Sequence, residues 1–201
     1  MYEDLTPTTE LEAVNAILEQ IGEPPVSTLE DLALDAQSAW NTLQRVMREV
    51  QKRGWHWNTT YHKLTATSNG EFLVPENAVR VDTVDGDEQY DVILRGRKLF
   101  DKRPYKNTTV FEDKDEMKVS IISLIEFEEM PESARHYVYV RAARQNQEFS
   151  QGSTAISKFS EDDEMYALTD LIDEEVSTGD YNFLQQEYRS TARFPIGHRR
   201  Y

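Results

Sequence analysis

The sequence predicts an α+β fold: an antiparallel four-helix bundle with an inserted, mostly antiparallel β lobe and an extended C-terminal arm. Three observations predict it. Apolar residues recur at helical spacing before residue 54 and again after residue 130. The stretch between is rich in Val, Ile, Thr, Tyr and Phe, and Asn-Gly and Asp-Gly pairs break it. From residue 180 onward, aromatics occur without a period. The expected domains are therefore a discontinuous helix bundle (1–54 and 130–179), an inserted β domain (55–129) and an arm (180–201).

The first helix opens at Thr9-x-x-Glu12, a capping box in which each side chain satisfies a free backbone amide. Leu11, Val14, Ile17, Leu18 and Ile21 form one stripe. Gly22 suits the left-handed conformation that ends a helix, and Pro24 cannot continue one. Pro24-Pro25 stiffens the connection. Ser27-x-x-Glu30 reads as a second capping pattern, with the second helix settled by Ala33 or Asp35. Ala36, Ala39, Trp40, Leu43, Val46, Met47 and Val50 make its apolar seam. Lys52 and Arg53 suit the negative end of the helix dipole, and Gly54 stops the helix. Helices joined by so short a turn pack antiparallel.

From Trp55 to Leu124 the period changes. Asn69-Gly70, between Leu64–Thr67 and Phe72–Val74, reads as a hairpin turn. Asp85-Gly86 repeats the signal between Val79–Val84 and Tyr90–Leu94, and Arg95-Gly96-Arg97 gives a third turn. Met117–Leu124 is the last strand of an expected meander of five to seven short strands. Met130-Pro131-Glu132 then starts a third helix with Pro at its first position, continuing through Ala134, Tyr137, Val138, Arg141 and Ala142 to about Phe149. Gly152 interrupts. A fourth helix lies within Ser153–Val176, with Ile156, Phe159, Tyr166, Leu168, Leu171 and Ile172 apolar. The acidic run Glu161–Glu164 sits inside it or begins it at a Ser160 cap, and Gly179 closes it.

Net charge is -15, from 22 Lys+Arg against 37 Asp+Glu. Such a surface repels a polyanion, which argues against DNA binding through a basic patch. Residues 180–201 run the other way, with four arginines against two acids (+2), leaving -17 on residues 1–179. A mildly basic tail on an acidic body suits docking on acidic neighbours. There are no cysteines, so disulfides and thiolate metal sites are excluded. Met1–Glu12 has no apolar core of a secretory signal, and no apolar run approaches the roughly 20 residues of a membrane helix.

Catalytic motifs are missing. His56, His62, His136 and His198 form no i, i+4 pair, and the eight glycines form no phosphate cradle. No nucleophile elbow is present. Carboxylates are abundant, and two held roughly 5–10 Å apart suffice for glycoside hydrolysis. Glu126, Glu128 and Glu129, or Asp162, Asp163 and Glu164, are the candidate pairs, although acids at a helix start need no further purpose. Trp55 and Trp57 alternate around His56 and read either as a stacking platform or as a hydrophobic hinge between lobe and bundle.

The run Glu10-Leu11-Glu12-Ala13-Val14-Asn15-x-Ile17-Leu18-x-x-Ile21-Gly22-Glu23-Pro24-Pro25-Val26-Ser27-Thr28-Leu29-Glu30 resembles the start of tail tubular protein A, the adaptor family of short-tailed double-stranded DNA bacteriophages. The resemblance continues at Arg53-Gly54-Trp55-x-Trp57-Asn58, at Glu129-Met130-Pro131-Glu132, at Ala143 and Gln145, and at Gly179-Asp180-Tyr181-Asn182-x-Leu184. It implies a non-enzymatic virion protein assembled in the host cytoplasm, with no cofactor, metal or membrane partner. It also implies a ring, typically twelve-fold, below the portal. The ring joins the portal to the nozzle, tail tubular protein B, and genomic DNA passes through its lumen without sequence-specific binding. The expected interface residues are Trp55 and Trp57 at the lobe junction, and Tyr181, Phe183, Tyr188, Arg189, Arg193, Phe194, Arg199 and Arg200 on the arm. Two other readings stand beside this one: a tail protein that also cleaves host glycans, and a scaffold removed before the particle matures.

Overall fold

The computed structural model describes residues 6–30, 32–151 and 161–178. It contains four α-helices and two antiparallel sheets. Helix α1 (Glu10–Ile21) starts at the expected capping box: Thr9 Oγ1 accepts Glu12 N, and the Glu12 carboxylate accepts Thr9 N at 2.7 Å. It ends at Gly22, φ +79°. The connection beyond is gripped from within α1, because Asn15 donates to Val26 O (3.0 Å) and accepts Val26 N (2.8 Å). Helix α2 (Leu34–Gln51) begins at Ala33 without a side-chain cap. The Ser27-x-x-Glu30 pattern therefore starts no helix. Asn15 already holds the backbone just ahead of it, and that segment stays a connection.

Helix α3 (Glu132–Gln151) packs against α1, α2 and α4 (Glu161–Thr178). Ala13, Val14, Ile17, Leu18, Leu43, Val46, Tyr137, Val138, Ala167 and Leu171 share one buried cluster. The α3–α4 seam is ionic at one end, where Glu164 accepts Arg144 Nε at 2.6 Å and an Arg141 terminal nitrogen at 3.3 Å. Arg135, almost buried, binds the carbonyls of Met130 and Thr8, both at 2.8 Å, and of Glu128. Of the two alternatives for the acidic run, Glu161–Glu164 opens α4 as its first turn. Gly152, Ile156, Phe159, Ser160 and Gly179 lie outside the described residues.

The β lobe is not a meander. Strands β1 (Thr59–Thr65), β2 (Ala78–Thr83) and β5 (Glu116–Ser123) form a sheet in the order β1-β5-β2, while β3 (Val92–Arg95) and β4 (Lys98–Asp101) form a separate hairpin. The register pairs Thr60 with Ile121 and Leu64 with Met117 on one side, and Val81 with Ile121 on the other. β5 takes the centre because it is the strand with the buried alternation: Met117, Val119 and Ile121 all face the second cluster, with Phe72, Leu99 and Phe111. At Asn69-Gly70 only the glycine has positive φ (+72°), so the two-residue hairpin expected there does not form. The chain instead makes a local turn, Gly70 N to Thr67 O, and β1 finds its partner in β5. Asp85 and Gly86 both have positive φ, as the turn reading required, yet β2 and β3 end in different sheets. The Gly96 turn joins β3 to β4 as expected, with Arg95 opposite Lys98.

Candidate interface surfaces

The junction between the helices and the β lobe rests on two buried amides. Gln51, at the end of α2, engages both backbone polar groups of one residue: its Nε2 donates to Ile125 O (3.0 Å) and its Oε1 accepts from Ile125 N (2.7 Å). Asn58 donates to Gln51 O (2.9 Å) and Ser123 O (3.0 Å) and accepts Trp55 N (2.8 Å). Asn58 is thus satisfied from both strands of chain that cross the junction, and Gln51 reaches from one to the other, which fixes their spacing. Gly54 has φ +80°, and a Cβ there would stand 2.3 Å from Ile122 Cδ1. Only glycine lets the chain turn that close to β5.

The two candidate tryptophans sit here, on the 3-10 turn that precedes β1 and not on a strand face. Their rings nevertheless stack, 6.4 Å between centroids and 7° between planes. Trp55 is buried and donates to Val50 O at 2.9 Å, so its ring fills the monomer's own core. Trp57 is half-buried, and its indole N–H has no hydrogen-bond partner among the described residues. His56 binds the C-terminal turn of α4: its backbone N donates to Glu175 at 2.8 Å, and its ring meets the same carboxylate. The arm candidates Tyr181, Phe183, Tyr188, Arg189, Arg193, Phe194, Arg199 and Arg200 lie outside the described residues.

Three of the candidate carboxylates are engaged in local structure. Glu129 accepts Glu126 N at 3.3 Å, and Glu128 accepts Glu10 N at 3.1 Å. Glu164 is held by Arg141 and Arg144. Among the described carboxylates, Glu10 is the one whose proton affinity rises. Burial pushes it up, bonds from Gln44 and Trp40 pull it down, and Glu128 and Glu126 nearby push it up again. Among the described residues, no group of three His, Asp or Glu is placed to hold a metal ion, and no helix is long and apolar enough to cross a membrane.

Sequence reasoning missed the surface that stands out. Helix α4 buries Ala167 and Leu171 but leaves Met165, Tyr166, Ile172 and Val176 between 44% and 69% exposed. Met165, Thr169, Ile172 and Val176 follow one another at helical spacing, so they form a single outward stripe. Asp162, Asp170 and Asp173 are exposed beside it, and α4 contains no lysine or arginine. The available signal was the helix's two-sidedness: apolar residues occupy more of its circumference than one seam can cover.

Residues 11–181 match the tail tubular protein family. Tail tubular protein A of Klebsiella phage KP34 is 30% identical over 132 residues, a match that spans 64% of this chain and 66% of that relative's length. A chain from the virion of a native gene transfer agent particle aligns over 84% of this chain and 94% of its own. Its 13% identity and TM-score of 0.31 are too slight to bear on fold or function. With most of its length matched, buried stripe, junction and last helix included, the chain belongs to the tail tubular protein family and is a structural component of a bacteriophage tail.

Proposed function

We propose that this protein is the ring-forming adaptor at the head-tail junction, joining the portal to the tail nozzle and enclosing part of the DNA ejection channel. The family match over residues 11–181 carries the reading. Twelve copies, docked head to tail below the portal, would meet tail tubular protein B on the other side, with assembly in the host cytoplasm before the virion is complete. Helices from residues 1–54 and 130–179 act as a bundle domain, the 55–129 lobe stands off as an inserted domain, and the 180–201 arm fastens to portal or neighbour through its aromatics and arginines. Unfinished apolar surface supports this. A subunit that ends its work as a monomer has little reason to leave four large hydrophobics outside on one helix. The acidic body also suits a lumen through which DNA slides without adhering.

Electron microscopy of the full chain mixed with its portal tests the reading. The expected result is a ring seated under the portal, and a chain that stays monomeric beside intact portals overturns it. Removing residues 181–201 is expected to leave the helices folded and abolish seating. Glycan hydrolysis gains no support from the engaged carboxylates described above. Reducing ends released from capsule polysaccharide by the wild-type chain, and not by Glu164→Gln, would bring that activity back.

A further inference from the structure

The turn at Arg103–Lys106 is built against the preference of its own conformation. Lys106 N donates to Arg103 O at 3.1 Å, Pro104 takes the first central position, and Tyr105 takes the second at φ +67°. This is the φ pattern of a type II turn, whose second central position favours glycine or asparagine because an L side chain crowds the backbone there. The Tyr105 ring gains nothing inside the monomer in return, since it is 100% exposed. Asn107 follows at φ +46°.

The base of the loop is fixed. Buried Asp101 accepts from Arg103 N (2.9 Å), Nε (3.0 Å) and a terminal nitrogen (2.6 Å), and its own N donates to Thr108 O at 2.8 Å. The Arg103 guanidinium lies 4.2 Å over the Tyr90 ring. The tip is cationic: Lys102 reaches Asp91 only at 3.8 Å, and Lys106 has no ion pair among the described residues. A strained, rigid tip that presents an aromatic ring between two lysines fits an acidic surface with apolar relief. It also loses little freedom on docking.

The outer face of α4 has that chemistry, with Met165, Tyr166, Ile172 and Val176 flanked by Asp162, Asp170 and Asp173. We propose that the Tyr105 loop of one copy docks on the outer face of α4 in the next copy. The inference rests on the ring reading and names the contact that would close it. Where the loop of each copy engages one neighbour and its α4 face the other, the contact is head-to-tail and gives a ring if the rotation closes. DNA also suits a cationic aromatic tip, but it would have to approach a chain of net charge -15, whereas a sister helix supplies the opposite sign locally.

The absence of cysteine makes the test clean. Full-length Tyr105→Cys is mixed with full-length Met165→Cys, Ile172→Cys or Val176→Cys in turn, assembled on the portal and oxidised. Disulfide-linked dimers are expected in at least one mixture and with no variant alone. Rings in electron micrographs without any such crosslink overturn the proposal and leave the ring reading standing; no rings from the wild-type chain overturn both. A chain carrying both substitutions is expected to give intermolecular ladders, and a purely internal bond overturns the proposal. In a second arm, Tyr105→Gly is expected to hold or raise the melting temperature while weakening association between copies roughly thirtyfold, the loss of one interface hot spot. A lowered melting temperature with unchanged association makes Tyr105 a structural residue. Salt-sensitive DNA binding lost in Lys102→Glu/Lys106→Glu, with no crosslink, assigns the loop to DNA.

Discussion

Helices α1 and α4 are both amphipathic, yet they finish differently. α1 buries Ala13, Val14, Ile17 and Leu18 completely and is tied down at both ends, by its capping box and by Asn15 on the following connection. α4 buries two residues along eighteen and leaves a second apolar stripe in water. A periodic pattern tells which residues want cover. It does not tell whether the cover comes from the same chain. The contrast separates what stabilises the monomer from what the monomer keeps for its neighbours.

Substitutions can break that contrast. Leu18→Ala is expected to cost about 3 kcal/mol or more, because it opens a cavity in a cluster with no solvent access; chemical denaturation would show the midpoint fall at unchanged slope. Gly54→Ala follows at about 2 kcal/mol, combining positive φ with the collision against Ile122. A loss below about 0.5 kcal/mol there would mean that the junction tolerates movement. Asp101→Asn is expected to cost about 2 kcal/mol at neutral pH, the worth of hydrogen bonds to a charged group. Burial alone would raise the Asp101 carboxyl, but the bonds from Arg103 outweigh it and hold the group below the ordinary carboxylate range. Its contribution is therefore present above about pH 4 and fades as pH falls through the lowered value. The gap between wild type and variant should close on acidification, and a constant gap would contradict the assignment. Smallest of all, Val176→Ser on the open face of α4 is expected to stay within about 0.5 kcal/mol. A drop comparable to that of Leu18→Ala would mean that the stripe is covered within the monomer.

What was legible followed from locality. The start and end of α1 are written within three residues of each terminus, in Thr9, Glu12 and Gly22, and all three act as read. Gly96 makes its hairpin for the same reason. β5 could be seen as a strand, but its place between β1 and β2 depends on residues 35 or more positions away, and the nearby Asn-Gly signal pointed elsewhere. Gln51 and Asn58 were invisible as junction residues, because a polar side chain on a helix end reads as solvated until the carbonyls that face it are known. Trp55 carried two readings in the sequence, a stacking platform and a hydrophobic hinge, and its buried ring, donating to Val50 O, fits the hinge.

The central position of β5 also bears on how the protein is made. As the polypeptide leaves the ribosome, β1 and β2 emerge early but have no partner until residue 123 has been synthesised. Helices α1 and α2 can pack on each other first, but the cluster they share is closed only when α3 arrives. Both cores are therefore completed late, within a short interval of translation, and nascent chains cut before that point should be open to proteases along their whole length.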